Sequence, residues 1–375
     1  MKFLLPAFFI LLSFGQLARI ELFSSVAFLS YEIVMMLVVG LFLLGKRKDI
    51  RSHLTNNIVK AFGIFLGTLG ISFLVSLPIH SVSENFVAFA YLVRIILYGL
   101  FFIAVLSVKK FVLERGLQLF TFATITFSLI QYVFVPNIQF LASRGWDPHV
   151  ARVVGTFLDA TSAGIILSLL FLYIVLRHPE SLDWGRRISA WTLALISLFI
   201  LILLTYSRIT YIGFIIGLMY LFLRKYRVKF VSTLIVLFLL CIPFLPQVPG
   251  ESTNLQRTFS INSRLADIQQ GIKVWQQNPL LGVGFNHIPS VKGANTARDH
   301  SDSAYSSSFV TILATAGLEG LGAFLYLLWS LYRYSSLLGK TLTVLMVATS
   351  FVENVFLLNV VLAVYLVLIA LEDNR

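Results

Sequence analysis

The chain has 375 residues, of which 58% are hydrophobic and only 12% charged, with a formal net charge of +12. Soluble proteins hold charged residues near a quarter of their composition, so a water-soluble globular domain is excluded. The lone Cys241 rules out a disulfide, and no second His or Cys stands at zinc-ligand spacing, so neither a metal nor a cofactor is expected.

Apolar runs of about 17–25 residues recur from end to end, each long enough to cross a bilayer core of roughly 30 Å as a helix. The predicted fold is an all-α, polytopic integral membrane protein forming a single domain over 1–375, with about 12 transmembrane helices. The spans fall near 3–18, 24–45, 58–78, 87–108, 116–136, 156–176, 188–206, 209–223, 230–247, 306–332, 341–354 and 356–371. The first is read as an uncleaved span, because no small-x-small cleavage site follows FLLPAFFILLSF. Residues 341–371 fit either one tilted helix or a hairpin broken near Glu353-Asn354.

Alternate connections carry most of the Lys and Arg: KRKDIRSH, VKKFVLER, RHPESLDWGRR, RKYRVK and YRYSSLLGK. The positive-inside rule makes these cytoplasmic and puts both termini inside. The opposite set faces outward, yet two of its members are basic. Membrane insertion does not require cations there, so an anionic ligand at the outer surface is expected.

In chain order, Arg94 lies inside an apolar run, with Glu353 as its obvious acidic mate. Arg152 stands at the entrance of a span, with Asp159 as a competing ion-pair partner. Arg208 sits between two spans with almost no loop around it. Such a charge near hydrocarbon costs several kcal/mol unless it meets an anion or snorkels to the headgroups.

The one long hydrophilic segment follows, an extracytoplasmic loop at 249–305 between late spans, with Arg257, Arg264, Lys273, Lys292, Arg298, His287 and His300. Within it, 264–278 reads as an interfacial helix. Leu265, Ile268, Ile272 and Trp275 form one stripe, Ser263 is available as a cap, and Asn278-Pro279 provides a stop. Gly282 and Gly284 flank Val283 in a tight turn. His300 lies between Asp299 and Asp302 at the membrane-proximal end of the loop.

Several arginines on one face match a doubly charged ligand, because the guanidinium fork fits phosphate oxygens. A lipid pyrophosphate meets these demands, with its tail in lipid and its sugar in the polar loop. Charge and topology alone equally describe an anion transporter.

Four blocks, TYSRITYIGFIIG, SRLADIQQGIKVWQQNPLLGVGFN, SSFVTILATAGLEGLGAFLY and RVVGTFLDATSAG, resemble the O-antigen ligase/polymerase family of bacterial membrane glycan-transfer enzymes. The resemblance covers about residues 150–330. It implies metal-independent transfer of an undecaprenyl-pyrophosphate-linked glycan to a glycan or lipid acceptor at the outer face of the bacterial cytoplasmic membrane. Membrane lipids are the other expected partner, and nucleic acid is not one. By position, Arg208 and Arg264 would hold the pyrophosphate, with Arg152 on the same face. Asn278, Pro279, Gly282 and Gly284 would shape the loop. A loop histidine would act on the acceptor, and His300 is the candidate. It lies six residues before the family position, which falls on Ser306 and Ser307; that departure favours a polymerase or a diverged member. A ligase is expected, with a polymerase joining lipid-linked repeats as the alternative. A polysaccharide or anion transporter and a docking scaffold stand further off.

Overall fold

A computed structural model describes residues 3–23, 26–45, 53–178, 189–292 and 304–373. It is mostly helical. Helix α1 (Leu4–Ser13) leads through a 3-10 turn into a hairpin of β1 (Arg19–Phe23) and β2 (Val26–Leu29). There follow α2 (Ser30–Gly45), α3 (Asn57–Ser76), α4 (Val82–Leu106), α5 (Lys110–Phe134), α6 (Ala160–Arg177), α7 (Ala190–Leu203), α8 (Arg208–Leu223) and α9 (Val228–Cys241). The hydrophilic segment contributes α10 (Phe259–Gln277) and the short α11 (Ile288–Lys292). The last three helices are α12 (Ser308–Tyr334), α13 (Leu337–Ser350) and α14 (Asn359–Asp373).

Among the described residues, α3, α4, α5, α6 and α12 are long and apolar enough to cross a membrane. Shorter apolar helices lie at the positions of the other expected spans. Helices α6 and α14 are apolar and buried on nearly every face, so they form the centre against which the others pack. Outer helices leave Ile71, Leu74, Val133 and Leu240 exposed, an apolar surface of the kind lipid covers.

The connections gather at two ends. At one, His53 Nε2 meets Ser107 Oγ at 2.9 Å, Tyr226 Oη donates to the Val175 carbonyl at 3.0 Å, and Arg177 pairs with Glu372. At the other, the 79–86 turn, the 135–159 segment, the 203–208 junction and the long loop bond to one another. Described members of each set of connections thus bond to others of the same set.

Several expectations need correction. Val26–Leu29, inside the span expected over 24–45, is the second strand of a hairpin, with Arg19 opposite Leu29 and Ile20 opposite Phe28. Composition does not separate a short apolar strand from helix. Glu32 makes the difference, accepting from the Leu29 N–H at 2.9 Å and from Tyr98 Oη at 2.9 Å. Arg94 pairs with this buried Glu32 at 3.2 Å and donates to the Ala27 carbonyl, not with Glu353. Asp159 caps α6 through the Ser162 N–H at 2.6 Å, and Arg152 donates instead to the Thr205 and Tyr206 carbonyls. Helix α10 starts at Phe259, so Ser263 lies inside it instead of capping it. Of the two readings left open for 341–371, the structure has the broken one, with two helices interrupted at 351–358. Thr343 meets Tyr365 Oη at 2.7 Å and Ser336 meets Glu372, so the pair is antiparallel.

Candidate functional site

Beneath α10 lies a polar cavity of about 970 Å³. Its walls come from the hairpin (Arg19), α4 (Arg94), the 145–162 segment, α10 (Ser260, Arg264, Asp267), the start of α12 and the 353–359 break. The faces of α10 divide cleanly. Arg264, Asp267, Gly271 and Val274 turn inward, whereas Ile261, Leu265 and Ile272 are exposed. Of the apolar stripe read from the sequence, Leu265 and Ile272 are exposed, whereas Ile268 and Trp275 are half-buried. Asn278 ends the helix, and Trp275 Nε1 donates to the Pro279 carbonyl at 3.0 Å.

Helix α10 is held by the sequence blocks that were singled out separately. Arg208, the first residue of α8, donates to the carbonyls of Arg257 (2.9 Å) and Leu255 (3.3 Å), and to Ser260 Oγ (2.6 Å). Arg257 donates to the Ser252 carbonyl at 2.9 Å. Burial holds the Arg257 guanidinium below its ordinary proton affinity, and the neighbouring Arg208 and Arg264 add repulsion. Arg208 and Arg257 thus each feel the repulsion of a neighbouring arginine, which an anion placed among them would relieve.

Arg264 reaches into the cavity and pairs with Glu353 at 2.6 Å. Burial pushes the Glu353 carboxyl up to about 7, partly opposed by Arg264 and reinforced by Asp159 and Asp147. The break carrying Glu353 is bolted to the start of α12. There Ser307 Oγ donates to the Ser350 carbonyl at 3.0 Å, and the Phe356 N–H donates to Ser308 Oγ at 3.2 Å.

Arg152 does not line the cavity. It is buried, donating to the carbonyls of Thr205 (2.8 Å) and Tyr206 (3.2 Å), with His149 beside it. Burial brings its guanidinium down to about 10. These bonds join the RVVGTFLD and TYSR blocks at a junction where Tyr206 has φ +49° and Leu158 φ +58°. Left-handed backbone at such side chains is costly and has to be held by its surroundings.

The turn at Asn278-Pro279 meets a break inside α12. Gly317 leaves helical geometry at φ +63°, ψ −159°. That frees α12 backbone groups to bond the loop: the Leu318 N–H to the Pro279 carbonyl at 2.9 Å, and the Val283 and Gly284 N–H groups to the Ala314 and Thr315 carbonyls at 2.9 and 3.0 Å. A Cβ on Gly282 (φ +69°) would strike Thr315 backbone, and one on Gly317 would strike Leu280 backbone. Only glycine fits either position.

At the far wall, Lys292 Nζ lies 2.8 Å from Asp267 and donates to the Ala304 carbonyl at 2.9 Å, while Asp267 accepts from Ser306 Oγ at 2.8 Å. His300 lies outside the described residues. Glu353 escaped the sequence reading as a site residue, although its place beside the suspected break in 341–371 was a usable signal. Among the described residues, no group of three or more His, Cys, Asp or Glu side chains is arranged to hold a metal.

No curated protein matches the chain. Residues 193–325 match the family model described as O-antigen ligase. The match runs from α7 into α12 and takes in Arg208, Arg264, the Asn278–Gly284 turn and Gly317. Over this segment, about a third of its length, the chain is similar to the O-antigen ligase family.

Proposed function

We propose that the protein is a membrane glycan ligase. It moves an undecaprenyl-pyrophosphate-linked oligo- or polysaccharide onto a glycan or lipid acceptor at the outer face of the bacterial cytoplasmic membrane, without a metal. The observation that carries this reading is the arginine cluster of Arg208, Arg257 and Arg264, of which Arg264 lines the polar cavity. A pyrophosphate would relieve the repulsion among the three cations, and its charge grows as the glycosidic bond breaks. The exposed Ile261, Leu265 and Ile272 of α10 fit a helix lying in the interface, which would bring the lipid carrier's head to the cavity and leave its tail in the bilayer.

In this reading Arg208 and Arg264 take the pyrophosphate, and Arg152 supports them by fixing the junction from which Arg208 projects. His300 belongs to the acceptor side, on the strength of the family resemblance alone. Both flanks of its segment, Lys292 and Ala304, line the cavity. A polymerase joining lipid-linked repeats uses the same donor half-reaction and differs in its acceptor.

The test is to reconstitute the protein in lipid with a labelled undecaprenyl-pyrophosphate glycan and membranes of the source cells as acceptor. Sugar transfer supports the reading, and label on lipid A core or on a second lipid-linked repeat separates ligase from polymerase. Translocation of the label without transfer would make the protein a transporter.

A further inference from the structure

The cavity holds one ionisable pair whose partners have opposite uses in a glycan transfer. Arg264 Nη2 and Glu353 Oε2 are 2.6 Å apart, with side chains 30% and 22% exposed, and both line the cavity. Beside Glu353, Asn354 also lines the cavity, and its Oδ1 is buried without a hydrogen-bond partner. The Tyr305 hydroxyl, on another wall, is likewise buried and unpartnered. Unpaired buried polar atoms are uncommon, and both of these belong to residues of the cavity wall. Resting on the transfer reading above, we infer that Glu353 is the base of the reaction, masked by Arg264 until the donor's pyrophosphate draws that arginine away.

The exchange follows from the charges. While paired with it, Arg264 stabilises the Glu353 carboxylate and so weakens it as a proton acceptor. Asp159 and Asp147 act on it in the opposite sense. When Arg264 turns to the pyrophosphate, the carboxylate loses its cation and keeps both anionic neighbours, so its proton affinity rises. An acceptor hydroxyl nearby then gives its proton to Glu353 as its oxygen forms the new bond to C1 of the donor sugar. The C1–O bond to the β-phosphate breaks, and its electron pair leaves on undecaprenyl pyrophosphate, held by Arg264 and Arg208. The proton passes from Glu353 to water as product departs. Binding of the donor thereby arms the base, and an empty site holds no free carboxylate to activate water.

The test measures single-turnover transfer and undecaprenyl pyrophosphate binding in parallel, on wild type, Glu353→Gln and Glu353→Asp. Size-exclusion profiles report folding. Glu353→Gln should lose roughly 100- to 10,000-fold in rate, the range general-base catalysis supplies. It should bind undecaprenyl pyrophosphate as tightly as wild type or tighter, because Arg264 no longer has to leave a carboxylate. Glu353→Asp should keep part of the rate, and formate should restore part of the rate to Glu353→Ala. Near-normal transfer by Glu353→Gln would overturn the proposal, as would a parallel loss of binding and rate, which would mark Glu353 as the holder of Arg264. Wild-type protein that binds undecaprenyl pyrophosphate but transfers nothing would overturn the transfer reading itself.

Discussion

Arg208 and Ser260, 52 positions apart in the chain, are joined by a hydrogen bond of 2.6 Å from the guanidinium Nη2 to the hydroxyl. With the two carbonyl bonds beside it, this contact fixes the first turn of α10 and hence the reach of Arg264, one turn further along. The junctional arginine has a structural duty in addition to any contact with a ligand.

That duty gives Arg208→Ala a double expectation. Transfer should fall roughly 100- to 1,000-fold, as when one preorganised donor to developing charge is removed. Limited proteolysis between residues 249 and 260 should also accelerate, because the turn loses its anchor. Arg208→Lys keeps the charge but not the fork, so it should restore only part of either property. A lysine variant with full rate and wild-type proteolysis would remove the fork from the argument.

Gly317 offers a test of the loop-to-helix seam. Alanine there combines a left-handed φ with a collision against the Leu280 backbone. The expected loss is about 2–5 kcal/mol of stability, from strain and overpacking together. A thermal unfolding series in detergent would read it. Gly322, whose added Cβ meets nothing within 4 Å, is the matched control and should tolerate alanine with little change.

Elements and partners were not equally legible from the sequence. Basic connections and apolar runs located the helices, because both signals are local and repeated. The Arg264 helix and its Asn278-Pro279 stop were also visible, being a periodic pattern with a breaker. Its first turn was not: FSIN lacks a strong cap, and Arg208, far away in the chain, holds it in place. The partners of buried charges were the least legible. Arg94 was matched with Glu353 because both lay in apolar runs, yet α2 brings Glu32 to Arg94 and α10 brings Arg264 to Glu353. Such pairings depend on which helices pack together, and nothing in the local pattern encodes that.

The Glu32–Arg94 pair yields its own expectation. Glu32 is fully buried and also accepts from Tyr98 Oη and the Leu29 N–H, so it ties the hairpin to α2 and α4. Glu32→Ala should cost about 3–5 kcal/mol, since it strands a desolvated guanidinium. Removing both charges with Glu32→Gln and Arg94→Met should cost less than Glu32→Ala alone. Thermal midpoints of the two variants decide the matter, and an equal or greater loss in the double variant would count against the stranded-charge account.

A stacked histidine pair couples the loop to acidity. The rings of His80 and His287 lie 3.9 Å apart, and His287 Nε2 donates to Asn85 Oδ1 at 3.0 Å. The amide's orientation is set by its own bonds to the Leu77 and His80 carbonyls. Burial, with His80 adding to it, holds His287 down at about 4, while Glu84 pulls the other way. An unfolded histidine takes its proton near 6.5, so between 6.5 and 4 the unfolded chain binds more protons than the folded one. The contribution of His287 to stability is therefore complete above about pH 6.5 and declines as pH falls towards 4. Hydrogen exchange of residues 282–291 should quicken between pH 7 and pH 5 once corrected for intrinsic rates. His287→Phe, which keeps a ring against Phe73 and His80 but cannot titrate, should flatten that response while lowering stability at neutral pH through the lost bond to Asn85. An unchanged pH response in His287→Phe would assign the sensitivity to another group.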